Sequence, residues 1–144
     1  SWATRATATP STARQGSTVA LAAEVTSPTS VEGAVYVAVV NPARRTIYQQ
    51  IFAGQTLAAG QRATYQMSVQ IATTAATGTY VVRVGVFSSD GRSLYHWNSN
   101  AGSFSVVART ANGEPLLPED EAGLDLSSAD GSRTPATAVL RVTR

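Results

Sequence analysis

Residues 78–106 read GTYVVRVGVFSSDGRSLYHWNSNAGSFSV. Tyr80, Val82, Val84 and Val86 fall on one face of an extended chain, and Val81, Arg83, Gly85 and Phe87 on the other. β-Branched and aromatic residues repeating at every second position are the signal of a sheet strand. Asp90-Gly91 is a turn signal. Residues 94–97 then run back, and residues 103–107 are expected to add a further strand. The stretch reads as the central meander of an antiparallel sandwich.

The same period recurs along the chain. Residues 1–17 are rich in Ala, Thr and Ser around Pro10, which suits an edge strand broken at the proline or a loose leader. Residues 18–26 form a firm strand with Val19, Leu21, Ala23 and Val25 on one face. Residues 34–40 are apolar on both faces, so this strand is expected to be central and covered on both sides. Asn41-Pro42 ends it. Residues 46–53 place Ile47 and Ile51 on one face and Tyr48 and Phe52 on the other, with Gly54 and Gly60 expected to bracket a loop. Tyr65, Met67, Val69 and Ile71 are in register in the next strand. Seven or eight short strands, with turn signals about every 8–12 residues and no helical period, predict an all-β, immunoglobulin-like antiparallel β-sandwich over residues 1–109.

A chain of 144 residues with 43% hydrophobic content can build one domain with a proper core. Nothing in it approaches the roughly 18 apolar residues of a spanning helix, so no membrane insertion is expected. No charged and apolar leader opens it and it does not begin with Met, as in a secreted protein after signal removal or an excised domain. Without Cys there is no disulfide or thiolate site. Every one of the 11 basic residues is Arg. Eight of them lie up to residue 109 against three acids, a balance of +5, and three lie beyond it against six, a balance of −3. Apart from Arg44-Arg45 the body's cations are scattered, and nucleic acid is not an expected partner.

The Gly-Thr-Tyr opening at Tyr80 resembles the tyrosine corner of immunoglobulin-like domains, in which a Tyr near a strand start bonds back to an upstream backbone group. From about Ala6 to Val106 the chain resembles the immunoglobulin-like accessory modules of secreted bacterial polysaccharide-degrading enzymes and surface proteins. Gly78, Tyr80, Arg83, Gly85, Asp90, Tyr95, Trp97, Asn98 and Phe104 carry the resemblance, supported by VYVAVVNP and QTLAAGQ. It implies a secreted, extracellular or cell-surface protein acting as a spacer, an assembly piece or a weak sugar binder.

Chemistry-bearing residues are sparse. His96 is the single His, no nucleophile motif accompanies it, and it is expected on the outer face of its strand. Glu24, Glu32 and Asp90 are the body's carboxylates, and nothing in their spacing marks a glycosidase pair. Glu119, Asp120, Glu121, Asp125 and Asp130 do not match a calcium loop. No catalytic residue, cofactor or metal is therefore expected, and the protein is read as a non-enzyme. Tyr95 and Trp97, two apart, share a face, and with Trp2 and Tyr48 they are candidates for a sugar-stacking platform. In the other reading Trp97 caps the sandwich core, which the low aromatic content of 7% favours.

From residue 110 the composition changes to Gly, Pro, Ser and acid. Residues 110–144 read as an extended acidic linker ending in one strand at 137–143. In that strand Ala138, Leu140 and Val142 lie on one face, and Val139, Arg141 and Thr143 on the other. Fully extended, the segment 110–133 reaches on the order of 80 Å. An assembly strand of Ala138, Val139, Leu140, Arg141 and Val142 would therefore be able to join a neighbour's sheet, the alternative being that it folds back onto its own sheet edge. The first expectation for function is an extracellular structural subunit that self-associates into a homo-oligomer or filament. The alternative is a carbohydrate-binding or spacer module whose partner is a polysaccharide.

Overall fold

The computed structural model describes residues 1–109, which hold eight strands and no helix. The chain divides into two units, Ser1–Val107 and Ala108–Arg144. The strand expected at 137–143, the assembly residues Ala138, Val139, Leu140, Arg141 and Val142, and the acidic cluster from Glu119 to Asp130 lie outside the described residues.

The strands are β1 (Ala3–Thr9), β2 (Thr12–Arg14), β3 (Thr18–Thr26), β4 (Val31–Val40), β5 (Thr46–Leu57), β6 (Arg62–Gln70), β7 (Gly78–Ser88) and β8 (Leu94–Val107). One sheet has the order β1-β3-β6 and the other β2-β8-β7-β4-β5. All pairings are antiparallel except the three-residue pairing of β2 with β8. The first strand lies at a sheet edge, as Pro10 requires, and the chain then crosses to the other sheet as β2.

The alternating positions form the interior. Val19, Leu21, Ala23 and Val25 of β3 and Tyr65, Met67 and Val69 of β6 face Val35, Val37 and Val39 of β4 and Tyr80, Val82, Val84 and Val86 of β7, and all are buried. Phe104 of β8 stacks on Tyr80 with ring centroids 5.4 Å apart. The Tyr80 hydroxyl donates to the Ala76 carbonyl at 2.7 Å. That bond back to an upstream carbonyl is the tyrosine corner expected from the sequence, and it satisfies a hydroxyl whose ring is 1% exposed. Burial also raises the pKa of that phenol.

Three expectations about elements need correction. Residues 94–97 and 103–107 are one strand, because β8 continues through a register shift opposite Val82 and Val84 instead of breaking. Gly54 does not open a loop: it sits inside β5 at φ 69°, where a glycine absorbs the irregularity of pairing between β4 and β5. The apolar second face of β4 is covered only along half its length: Ala38 and Val40 are buried, whereas Ala34 and Tyr36 are partly buried, and Tyr36 is met by Phe87 of β7 and Trp97 of β8.

Candidate functional site: the outer face of the five-stranded sheet

The pairing of β5, β4, β7 and β8 places four residues in one row across the sheet. Ile51 is opposite Tyr36, Tyr36 opposite Gly85, and Gly85 opposite Trp97. Directly opposed residues of a sheet share a face, and this is the face turned away from the core. The missing side chain at Gly85 makes the row possible. A Cβ there would lie 2.7 Å from Trp97 Cε3 and 2.9 Å from Cζ3, so the indole occupies the space that any other residue would fill. Across this gap Trp97 reaches Tyr36, with ring centroids 6.1 Å apart and planes at 23°. Phe87, two residues along β7, meets the Tyr36 ring edge-on with centroids 6.3 Å apart.

Trp97 remains 41% exposed and Tyr95 40% exposed. Of the two readings of Trp97, the outer-face position is the one found, and the indole does not cap the interior. The reason is parity. Val84 and Val86 must face inward, so Gly85 faces outward, and its partner Trp97 goes with it. Tyr95 is the extra residue at the register shift between β7 and β8, and it too is exposed.

Polar groups flank the rings. The Tyr36 hydroxyl donates to Gln49 Oε1 at 2.9 Å, which leaves the Gln49 amide N–H groups as donors. Arg83 shares the outward parity of Gly85 one pair further along β7. Its Nε is buried and has no partner among the described residues. A shallow depression on the outer face of the other sheet, lined by Thr7, Thr9, Ala20, Ala22, Gln66 and Ser68, has no aromatic residue. Among the described residues the exposed large apolar side chains, Ile47, Ile51, Leu94, Tyr95 and Trp97, all belong to the five-stranded sheet.

Not every expected platform member joins this face. Trp2 stacks on His96, with centroids 5.5 Å apart and planes at 12°, and Tyr48 pairs with the buried Val39 on the inner side of β5. His96 is also not on the outer face. Its partner Val86 faces inward, and so the imidazole turns toward β1, where Nε2 lies 3.0 Å from Thr4 Oγ1. Burial lowers its pKa from the ordinary histidine value, and among the described residues no carboxylate hydrogen-bonds to it. Asn98, two residues on, donates to the same Thr4 hydroxyl at 2.8 Å.

The carboxylates are dispersed. Glu24 lies on β3, 3.7 Å from Arg62. Asp90 caps the β7–β8 turn, accepting from the Ser88 hydroxyl at 2.6 Å and from the Arg92 backbone N–H at 2.9 Å. These bonds, the Ser88 one foremost, hold its pKa below the usual value. Among the described residues no group of three His, Asp or Glu gathers. The arrangement offers flat apolar rings beside donors, which suits binding.

No family model matches the chain, and no curated protein matches it in sequence. Solved structures do share its fold. The C-terminal domain of wzt superposes with a TM-score of 0.58 at 8% identity, over 74% of this chain and 72% of that one. The CARDB domain of the PF1109 protein from Pyrococcus furiosus, determined in complex with di-metal ions, superposes with a TM-score of 0.50 at 12% identity, over 75% of this chain and 87% of that one. At such identities the likeness concerns fold alone. It defines the chain as an immunoglobulin-like β-sandwich.

Proposed function

We propose that this chain is a non-catalytic carbohydrate-binding module that holds polysaccharide on the outer face of its five-stranded sheet. The observation that carries the reading is the Tyr36–Gly85–Trp97 row. An indole is seated over a glycine and braced by a tyrosine, yet remains 41% open to solvent. A lone surface Trp is free to rotate, and stacking on a ligand then costs rotamer entropy. Here the ring is held in place beforehand, which removes part of that cost. The apolar faces of sugar rings stack on such a surface, and the reading draws its hydrogen bonds to sugar hydroxyls from Gln49 and Arg83, which pair with Ala38 on the same side of the sheet, and from Tyr95. Such a module works outside the cell or at its surface, where polysaccharide is met, as the resemblance of residues 6–106 to accessory modules also implies.

The test is retention on insoluble cellulose, chitin and xylan, compared between the native chain and Trp97→Ala. The reading expects retention on at least one of them, lost in Trp97→Ala while the thermal unfolding transition stays in place. Absence of retention on all three, or retention that survives Trp97→Ala, contradicts it.

A further inference from the structure

Among the described residues four strands have an open edge, β1 and β6 in one sheet and β2 and β5 in the other. Natural edges are blunted by shortness, by charge or by proline, because an open row of N–H and C=O groups is a template for another strand. β2 has three residues and ends in Arg14. β1 carries Arg5, and its Ala6 carbonyl packs against Gly102 of β8. β6 opens with Arg62 and alternates its buried positions with exposed or half-buried polar ones, Thr64, Gln66, Ser68 and Gln70.

β5 is neither short nor charged nor interrupted by proline, and its pairing with β4 is irregular only toward its two ends, opposite Gly33–Val35 and Val39–Val40. Its 12 residues, TIYQQIFAGQTL, include no charge and no proline. Residues 48–52 pair with β4 without interruption. Ile51 is 62% exposed on its outer side, and Ile47, 42% exposed, sits at the register shift opposite Val39 and Val40, beside Ile71 and Tyr80 of the inner side. On its inner side Phe52 meets Tyr65 of β6 with centroids 4.8 Å apart, but Tyr48 is only half-buried and Gln50 is exposed. Both faces of β5 carry apolar side chains beside Gln49 or Gln50 and are incompletely covered, next to a backbone edge that no described strand pairs.

We propose that the free edge of β5 accepts residues 137–143 of a second copy of this chain. The occupant follows from the chain that continues beyond Arg109. Its sequence has a single strand-like alternation, with Ala138, Leu140 and Val142 on one side and Val139, Arg141 and Thr143 on the other. Such a segment supplies apolar side chains to both incompletely covered faces of β5 at once. The intervening residues 110–133 are long enough to reach a neighbour, on the order of 80 Å when extended. Charge favours the same partner: residues 110–144 carry three Arg against six acids, whereas residues 1–109 carry eight Arg against three. Because the donor and acceptor differ, the contact is head-to-tail, and repetition builds an open chain of subunits unless the rotation closes a ring.

Complementation tests this directly. One full-length variant loses the donor (Leu140→Asp with Val142→Asp), and another loses the acceptor (Ile47→Lys with Ile51→Lys). Light scattering is expected to show the native chain growing in mass with concentration and each variant monomeric alone. The mixture is expected to give a species of twice the mass of one chain, since one functional donor then meets one functional acceptor. A native chain that stays monomeric at every concentration overturns the proposal, as does assembly by either variant alone or failure of the mixture to form the dimer when both variants keep the native thermal transition. If the Lys substitutions disturb folding, amide exchange on the unmodified chain decides. Protection of β5 and of residues 137–143 that falls on dilution supports the proposal, and protection independent of concentration overturns it.

Discussion

Substituting Gly85 by Ala adds one methyl group to the centre of the five-stranded sheet, in the space that Trp97 occupies. The new Cβ would meet Cε3 at 2.7 Å, Cζ3 at 2.9 Å and Phe87 Cε2 at 3.2 Å. Approaches below 3 Å are not tolerated, so the indole must lift or swing off its seat and its alignment with Tyr36 is lost. The backbone does not resist the change, because Gly85 is not among the glycines at positive φ. Replacing a strand Gly by Ala restricts the unfolded chain and stabilises by roughly 0.4–1 kcal/mol, which opposes the loss of the Trp97–Gly85 contact. Stability is therefore expected to change by less than about 1 kcal/mol in either direction.

Binding is expected to change more. A Trp presents about 250 Å² of surface, of which 41% is open here, or about 100 Å². If a sugar ring covers half of that, apolar burial contributes about 1.2 kcal/mol at 25 cal/mol per Å², close to tenfold in affinity. Gly85→Ala should therefore weaken binding of a soluble fragment of the retained polysaccharide by about tenfold, measured by isothermal titration, and leave the melting temperature within a few degrees. Unchanged affinity in a variant that folds normally would refute the claim that the glycine seat positions the indole for binding.

Two further outcomes follow from the geometry. Tyr80→Phe removes the hydroxyl that donates to the Ala76 carbonyl at 2.7 Å and should destabilise by about 0.5–1.5 kcal/mol in urea unfolding; a neutral substitution would show that the tyrosine corner contributes nothing. Burial holds the folded-state pKa of His96 below 6.5, so the unfolded chain binds the proton more readily as pH falls through 6.5. Stability should therefore decline from pH 7 toward the folded-state pKa and cease to depend on this group below it. His96→Asn should flatten that part of a melting-temperature profile, and a profile unaltered by the substitution would contradict the assignment.

The interior was legible in the sequence because its signal is geometric. Val19, Leu21, Ala23 and Val25, and again Tyr80, Val82, Val84 and Val86, repeat at the period of a strand, and each is buried. The tyrosine corner was legible from a Gly-Thr-Tyr strand opening. The outer face was legible only in part. Alternation puts Tyr95 and Trp97 on one side, but which face Trp97 takes depends on its pairing with Gly85, and Tyr95 falls at a register shift, neither of which a local pattern reports. Tyr36 falls in a run that is apolar on both faces, and the alternation gives Gly85 no role beyond its place in the strand. A signal was present, since a glycine inside a strand often marks the close approach of another group, and here the group is the indole. Trp2 and Tyr48 were grouped with Trp97 by residue type, but the register sends Trp2 to His96 and Tyr48 to the inner side of β5. The parity that puts Trp97 outside also turns His96 toward β1.

The chain has two tryptophans, Trp2 and Trp97, on different parts of the sandwich, so its intrinsic fluorescence can report which surface meets the ligand. Trp2→Phe leaves Trp97 as the single emitter, and Trp97→Phe leaves Trp2. Each variant is titrated with the soluble oligosaccharide of whichever polysaccharide retains the native chain. If the outer face of the five-stranded sheet is the binding site, emission from Trp97 shifts to the blue and saturates as a sugar ring displaces water from the exposed indole, while emission from Trp2 stays constant. A saturable response from Trp2 with none from Trp97 would place the ligand elsewhere and contradict the account.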